Sequence, residues 1–229
     1  MKNLLKKSGF IILPAALILS VVSCSKSDTP APVVNPNLNG NITLTTLQAQ
    51  VDSLQKEPVS QTELNTILYM REEEKLARDV YTTLYNKWGS TIFTNISAAE
   101  QTHMDALLML INKYSLTDPV GSNPVGVFSD TTLQNLYNQL VAQGNTSIPE
   151  AYITGATIED LDIYDLNNAV TTIDNKDIIL VYDNLTKGSR NHLRSFYQNI
   201  LKVGATYTPQ YLTQAEFDAI INSAMETGF

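Results

Sequence analysis

Residues 95–114 read NISAAEQTHMDALLMLINKY, and their pattern is the most informative in the chain for predicting its fold. Its core-facing residues recur at steps of three and four, which predicts an amphipathic helix. Glu100 and His103 interrupt this apolar row, and their spacing puts both side chains on one helix face. His103 and His192 are the only histidines of the chain. Paired Glu-x-x-His steps with further carboxylates hold two metal ions inside four-helix bundles, so the stretch indicates such a centre.

Three further stretches show the helical period, over about residues 62–88, 147–172 and 174–203. Each has an apolar row that is interrupted near its middle by polar residues. The interruptions are Glu74 in the first stretch, Glu159 with Asp162 in the second, and Ser189 with His192 in the third. A bare carboxylate in a core costs several kcal/mol unless it is paired or binds a metal. The pattern therefore predicts a metal site shared by four helices.

Shorter helical patterns cover about residues 130–143, where Gly144 follows, and about residues 213–225. No stretch alternates at the period of a strand. The expected fold is therefore all-α: a four-helix bundle with a short extra helix in the crossover and a short C-terminal helix.

Some of these residues have simpler interpretations. Ser97 and Glu100 match a capping box, so Glu100 would cap a helix that starts at Ser97. Glu72, Glu73 and Glu74 lie in an acidic run that solvent would ordinarily cover. Only the helical phase turns Glu74 inward and leaves Glu72 and Glu73 outside.

The remaining polar positions also have structural alternatives. His192 could be a hydrogen-bonded core histidine, and Asp162 could pair with a basic residue at the surface. Tyr81 and Trp88 are read as packing residues rather than as redox relays.

The N-terminus has the pattern of a targeting segment. Three lysines precede an apolar stretch over residues 10–22, which is too short to span a membrane comfortably. The stretch ends in Val21-Val22-Ser23-Cys24, which resembles a bacterial lipobox. In such signals, cleavage leaves the cysteine as the lipidated N-terminus, here Cys24; an ordinary signal peptide with a stray cysteine is the alternative.

This interpretation divides the chain into a signal peptide at residues 1–23, a flexible tether at 24–45 and one domain at 46–229. Residues 25–40 are rich in Pro, Asn, Ser and Asp, which is typical of a flexible tether. Because the three lysines leave with the signal, 12 of the 15 basic residues remain against 23 acidic ones, and the formal charge falls from −8 to −11. That charge disfavours nucleic acids as partners.

Three segments resemble the DUF2202 family, an uncharacterised family of ferritin-like domains from bacteria and archaea. They are residues 69–81 (YMREEEKLARDVY), 99–104 (AEQTHM) and 188–194 (GSRNHLR). The similarity extends over about residues 62–225.

The wider resemblance is to rubrerythrin-like di-iron bundles, and it implies roles for individual residues. Glu74 would be a terminal carboxylate, Glu100 would bridge the metals, and His103 would bind one of them. Glu159 with Asp162 is similar to the paired acids of the third helix. His192 matches the second Glu-x-x-His histidine, but Ser189 stands where the glutamate of that step is expected.

The resemblance implies a membrane-anchored ferritin-like protein with a di-iron or di-manganese centre. It would be an oxidoreductase linked to O2, peroxide or Fe(II), that is, an oxidase, a peroxidase or a ferroxidase, with no catalytic residue assigned. Carboxylate and imidazole ligands favour iron or manganese, and zinc stays open. The alternative is a non-catalytic envelope lipoprotein with a structural metal or a polar core. Iron storage ranks last, because a lipid-tethered subunit suits a closed soluble cage poorly.

The expected partners follow from the anchor and from the single cysteine. The lipid would attach the protein to a membrane of the bacterial cell envelope, at the outer membrane or the periplasmic face. A built-in rubredoxin-type electron donor is excluded because Cys24 is the sole cysteine, so turnover would need an external donor. A homodimer stays open.

Overall fold

The computed structural model describes residues 43–227, and all regular structure within them is helical. The helices are α1 (Leu44–Ser53), α2 (Gln61–Trp88), α3 (Thr91–Tyr114), α4 (Thr131–Gly144), α5 (Ile148–Val170), α6 (Lys176–Lys202) and α7 (Gln214–Ile221). The prediction of an all-α bundle is confirmed. No helix in this part of the chain is both long and apolar enough to cross a membrane. The predicted signal peptide and the predicted lipid-attachment residue Cys24 lie outside the described residues.

The four long helices α2, α3, α5 and α6 form the bundle. Helix α2 packs against α3 and α5, and α6 packs against the same two helices, so the contacts close into a ring. Helices α3 and α5 therefore occupy opposite corners, and the segment between them, which contains α4, crosses the bundle. The sequence predicted both α4 and α7 but missed α1, which packs against α3 and α6.

Apolar side chains form two separate clusters. One, here the α1-side cluster, includes Val51 of α1, Leu107 of α3 and Leu185 of α6. The other, the α4-side cluster, includes Leu133 of α4 and Phe196 of α6. On every long helix the polar residues noted above fall between these two clusters. We call this set the polar layer: Glu74, Glu100, His103, Glu159, Asp162, Ser189 and His192.

The helix ends explain two differences from the sequence analysis. Helix α3 begins at Thr91, so Ser97 lies inside it and Glu100 is not a capping residue. Helix α6 begins at Lys176 with Asn175 as its N-cap, two residues after the predicted start at 174. The backbone N–H groups of Asp174 and Asn175 instead donate to Glu63 of α2, which supplies the missing acceptor. Helix α2 ends at Trp88, as the stretch over residues 62–88 predicts, and Gly89 follows it with φ at 66°.

Candidate metal centre

The polar layer is enclosed by the bundle. None of its seven side chains belongs to a residue that is more than 4% exposed. The two apolar clusters cover it on either side along the bundle axis, so bulk water is excluded from these carboxylates and imidazoles. Burying several ionisable groups together is costly without compensating contacts, and the contacts between them are therefore informative.

Glu100 of α3 lies at the centre and contacts both imidazoles. Its Oε2 is 2.8 Å from Nδ1 of His103, and its Oε1 is 2.9 Å from Nδ1 of His192. Glu74 approaches His103 from α2, with Oε2 at 3.1 Å from Nδ1. Glu159 approaches His192 from α5, with Oε2 at 3.4 Å from Nδ1. The layer thus has two similar halves joined by one carboxylate.

Each half meets the basic requirement for binding a metal ion. Glu74, Glu100 and His103 each offer a ligand atom, and these atoms all lie within 4.8 Å of one another. Glu100, Glu159 and His192 form a second such group. The two imidazole rings are stacked with centroids 5.4 Å apart, so both groups occupy one small region of the core. The structure thus brings together five of the six predicted ligands in two groups.

Several buried ligand-type atoms in this region lack hydrogen-bond partners among the described residues. They are Glu74 Oε1, Glu100 Oε1, Asp162 Oδ1 and His192 Nδ1. The short contact between His192 and Glu100 is therefore not aligned as a hydrogen bond. Unpartnered buried polar atoms are rare in folded proteins, and a bound ion is one ordinary explanation for them. The donor atoms present fit such an ion.

Asp162, the sixth predicted ligand, lies outside both three-residue groups. Its Oδ2 accepts a hydrogen bond from the Ser189 hydroxyl, which also contacts the carbonyl oxygen of Leu185. Ser189 therefore occupies the α6 position where a second shared carboxylate was expected and holds Asp162 in place. Oδ1 of Asp162 stays unpartnered and is available as a ligand.

Tyr81 has a polar contact that the sequence analysis did not predict. It packs in the α4-side cluster, with its ring centroid 5.2 Å from that of Phe196, as expected of a core aromatic. Its hydroxyl donates to Oε1 of Glu159 at 2.5 Å. That bond leaves Oε2 of Glu159 facing His192. The spacing of seven residues from Glu74, which places Tyr81 two turns along the same face of α2, was the available signal.

The prediction that Glu72 and Glu73 point away from the core is wrong. Glu72 is 3% exposed and Glu73 is 2% exposed. Helix α2 contacts α3, α4 and α5, so it is covered on more sides than a single core face predicts. Glu72 accepts hydrogen bonds from the backbone N–H groups of Ser129 and Asp130 and so fixes the start of α4.

The charges in the layer shift the pKa values strongly. Burial raises the pKa of Glu159 to about 8 and that of Asp162 to about 7. Burial, followed by the charge of Asp162, raises the pKa of Glu74 well above its usual range. Burial also opposes ionisation of Glu100, but the His192 and His103 imidazoles outweigh it and hold its pKa below the usual range.

The pKa values of both imidazoles are raised, whereas burial alone would lower them. Burial alone would lower the pKa of His192, but the carboxylates of Glu100 and Glu159 outweigh it and raise that pKa to about 10. The pKa of His103 is raised well above its usual range against the same burial effect, by Glu74 and Glu100. Without metal, the layer therefore favours imidazolium–carboxylate pairs. A metal ion would compete with these protons.

Gly188 of α6 lies directly against the His103 ring. A Cβ placed there would overlap Nε2 and come within 2.7 Å of Cε1 of that imidazole. The absence of a side chain therefore lets the ring sit between α3 and α6 with Nδ1 turned toward Glu74 and Glu100. The segment over residues 188–194 thus supplies a space, a hydroxyl and an imidazole within two helical turns.

Comparison with known proteins gives the family. A family model described as an uncharacterized protein domain (DUF2202) matches residues 63–224. The uncharacterized protein MJ0754 of Methanocaldococcus jannaschii is 51% identical over 178 residues, covering 78% of this chain and 96% of that protein. The crystal structure of the hypothetical protein MJ0754 superposes with a TM-score of 0.75 and 52% identity, covering 76% of this chain and 99% of that one. The chain belongs to the DUF2202 family.

Proposed function

We propose that this protein is a ferritin-like, lipid-anchored metalloprotein that holds two iron or two manganese ions and acts as an oxidoreductase toward O2, peroxide or Fe(II). The observation that carries the proposal is the sharing of Glu100 between two buried ligand groups. Each group adds one carboxylate and one imidazole from other positions. Such a set is typical of dinuclear centres in helical bundles.

The charge count supports two divalent ions. Glu74, Glu100, Glu159 and Asp162 supply four negative charges when all are ionised, which balances two divalent cations. The unpartnered oxygens of Glu74, Glu100 and Asp162 are available as ligand atoms. Mixed oxygen and imidazole ligands favour iron or manganese over metals that prefer thiolates, and zinc remains compatible with the set.

Bound ions of a redox metal would supply the electrons for reduction of O2 or peroxide, and Glu74, Glu100, His103, Glu159 and His192 would hold them. The residues of this chain orient the ligands and exclude water. The Tyr81 hydroxyl donates a hydrogen bond to Oε1 of Glu159, and this bond fixes the orientation of that carboxylate. Ser189 fixes Asp162 in the same way from α6. The electron donor would come from outside, since Cys24 is the only cysteine.

One observation favours a second candidate, a non-catalytic domain with a polar core. Protonated His103 and His192 pair with Glu74, Glu100 and Glu159 at distances of 2.8 to 3.4 Å, so the layer can partly satisfy its charges without metal. In this case the layer would be structural. Such buried pairs are weak evidence for stability, because desolvation offsets much of their attraction.

Anaerobic Fe(II) titration followed by calorimetry tests the proposal. We expect two ions per chain in the parent and neither ion bound tightly in Glu100→Gln, because both groups share that carboxylate. Glu150→Gln is the matched control, since Glu150 contacts Gln143 outside the polar layer. Exposure to O2 or peroxide should then oxidise the bound iron faster than iron in buffer. Absence of binding rejects the proposal, and binding without oxidation supports the second candidate.

The membrane anchor is tested separately through Cys24. We expect Cys24→Ser, expressed as the full chain, to leave the membrane fraction, because a serine cannot accept the thioether-linked lipid. Fractionation and metabolic labelling with a radioactive fatty acid measure both properties. Retention of Cys24→Ser in the membrane fraction would contradict a lipid anchor at this residue.

A further inference from the structure

A row of acidic side chains leads from the surface to the polar layer between α2 and α5. Asp165 is partly exposed, Glu73 is 2% exposed, and Glu74 and Asp162 follow inside. Asp162 and Asp165 are three residues apart on α5 and therefore share a face. The carboxyl group of Glu73 lies within hydrogen-bonding reach of that of Asp165, and its charge acts on those of Asp162 and Glu74.

The outer end of this row opens into a surface groove of about 390 Å³. Residues of both helices line it, among them Thr66, Tyr69, Asp165 and Asn168. The Tyr69 hydroxyl is within hydrogen-bonding reach of the Asp165 carboxylate, and both residues line the groove. The groove thus connects the solvent to the first carboxylate of the row.

Glu73 is the unexplained residue of the row. Both of its carboxylate oxygens are buried, and no N–H group or hydroxyl group among the described residues donates to either one, so the Asp165 carboxyl is the polar group within its reach. The neighbouring Glu72 and Glu74 have assigned contacts, to the start of α4 and to His103 respectively. Four other carboxylates already balance two divalent ions in the proposed centre. A buried carboxylate that faces other carboxylates and accepts from no N–H group or hydroxyl group therefore points to a cation that occupies this position transiently.

We propose that Glu73 and Asp165 form a transit site that passes divalent cations from the α2–α5 groove to the polar layer. The inference rests on the proposed metal centre. Asp165 would take over part of the hydration shell at the surface, Glu73 would replace further water oxygens, and Glu74 and Asp162 would complete the transfer. Oxygen ligands at successive depths lower the cost of dehydrating a hard cation in one step.

A residue on the transit path and a ligand of the bound ion have different effects on the kinetics of metal binding. A group on the path alters the barrier that metal crosses in both directions, so it changes the association and dissociation rates equally and leaves Kd unchanged. A ligand of the bound ion changes Kd. A simple carboxyl pair that shares a proton would change neither the rates nor Kd when one member becomes an amide.

Stopped-flow mixing of metal-free protein with Co(II), read by its ligand-field absorbance, gives the association rate, and chelator competition gives the dissociation rate. We expect Asp165→Asn and Glu73→Gln each to slow association about 10-fold at low salt, the lower end of the effect of focused charge on cation on-rates. Dissociation should slow by the same factor, because both directions cross the same barrier. Stoichiometry and Kd should match those of the parent. Asp183→Asn, an exposed acid on α6, and Glu150→Gln are the charge-matched controls and should keep the parent rates.

The outcomes separate the two hypotheses. A parent that binds Co(II) with unchanged rates in both variants overturns the transit site and leaves the metal centre standing. A raised Kd in Asp165→Asn also overturns it, because this residue would then act on the bound state. A parent that binds no Co(II), Fe(II) or Mn(II) overturns the centre and the transit site with it. Asp165 is only partly buried, so its variant keeps the test informative if Glu73→Gln fails to fold.

Discussion

Saturating Fe(II) or Mn(II) at pH 8 is expected to raise the Tm of the folded domain by about 10 °C. A ligand at 1,000 times its Kd stabilises the native state by about 4 kcal/mol. For a domain of this size, each kcal/mol shifts Tm by roughly 2–4 °C. The stabilisation arises because the metal neutralises carboxylates that are otherwise crowded in a dry core.

The stability of the metal-free protein and the stabilisation gained from metal should depend on pH with opposite signs. Without metal, the folded-state pKa values of Glu159 and His192 are raised to about 8 and about 10 from ordinary values of 4.5 and 6.5. The folded protein then binds more protons than the unfolded chain, so its stability is complete below the ordinary values and is lost as pH rises through the raised ones. The metal competes with those same protons, so its contribution grows as pH rises.

Differential scanning calorimetry at pH 5.5 and pH 8, with and without metal, measures both trends. We expect the metal-free Tm to fall over this range and the gain from metal to increase. Glu100→Gln is the control, and its Tm should respond little to metal at either pH. A metal-free Tm that rises toward pH 8, or a gain that is larger at pH 5.5, would contradict the charge assignments in the polar layer.

Gly188→Ala is expected to weaken metal binding by roughly 10- to 100-fold, the usual cost of disturbing the surroundings of a ligand. The added Cβ would overlap the His103 imidazole and displace its Nδ1 from Glu74 and Glu100. Overpacking of this kind also costs about 1–3 kcal/mol of folding stability. An alanine in a helix interior would otherwise stabilise by up to about 1 kcal/mol relative to glycine. A loss of folding stability in Gly188→Ala would therefore indicate the steric conflict, and a gain would indicate its absence.

A double-mutant cycle isolates the responsible contact. In the His103→Ala background the ring is absent, so Gly188→Ala should be neutral or stabilising in urea unfolding. Both single variants should bind metal more weakly than the parent. Equal destabilisation by Gly188→Ala in the two backgrounds would show that the conflict lies elsewhere than at His103.

Much of the fold was predictable because helix periodicity and end signals agree in this chain. The predicted end of the first long helix at Trp88 matches α2, where Gly89 adopts a left-handed conformation. Helix α3 begins at Thr91, four residues before the predicted start at Asn95, so Ser97 lies inside the helix and does not cap it. Helix α1 was missed because it is short and only Leu47 and Val51 are buried, too few to set a period.

The residues of the candidate site could be predicted where a helix buries a single face. They could not be predicted where several other helices pack around the same helix and bury more than one face. Glu100 and His103 follow from spacing alone. The run at Glu72 and Glu73 reads as solvated, and only the contacts of α2 with α4 and α5 bury both residues. Periodicity within one helix contains no information on such neighbours. The hydrogen bond from Tyr81 to Glu159 joins residues 78 positions apart and is equally invisible to local patterns.

The division of the core into two apolar clusters also determines how the helices align lengthwise. Apolar side chains alone would tolerate a slip of one helical turn, since leucine-rich faces pack in several registers. Here, such a slip of α3 would move Glu100 against methyl groups and separate His103 from Glu74. Buried ionisable groups make that arrangement costly by several kcal/mol. The polar layer therefore selects one axial register among the alternatives that the hydrophobic surfaces alone would permit.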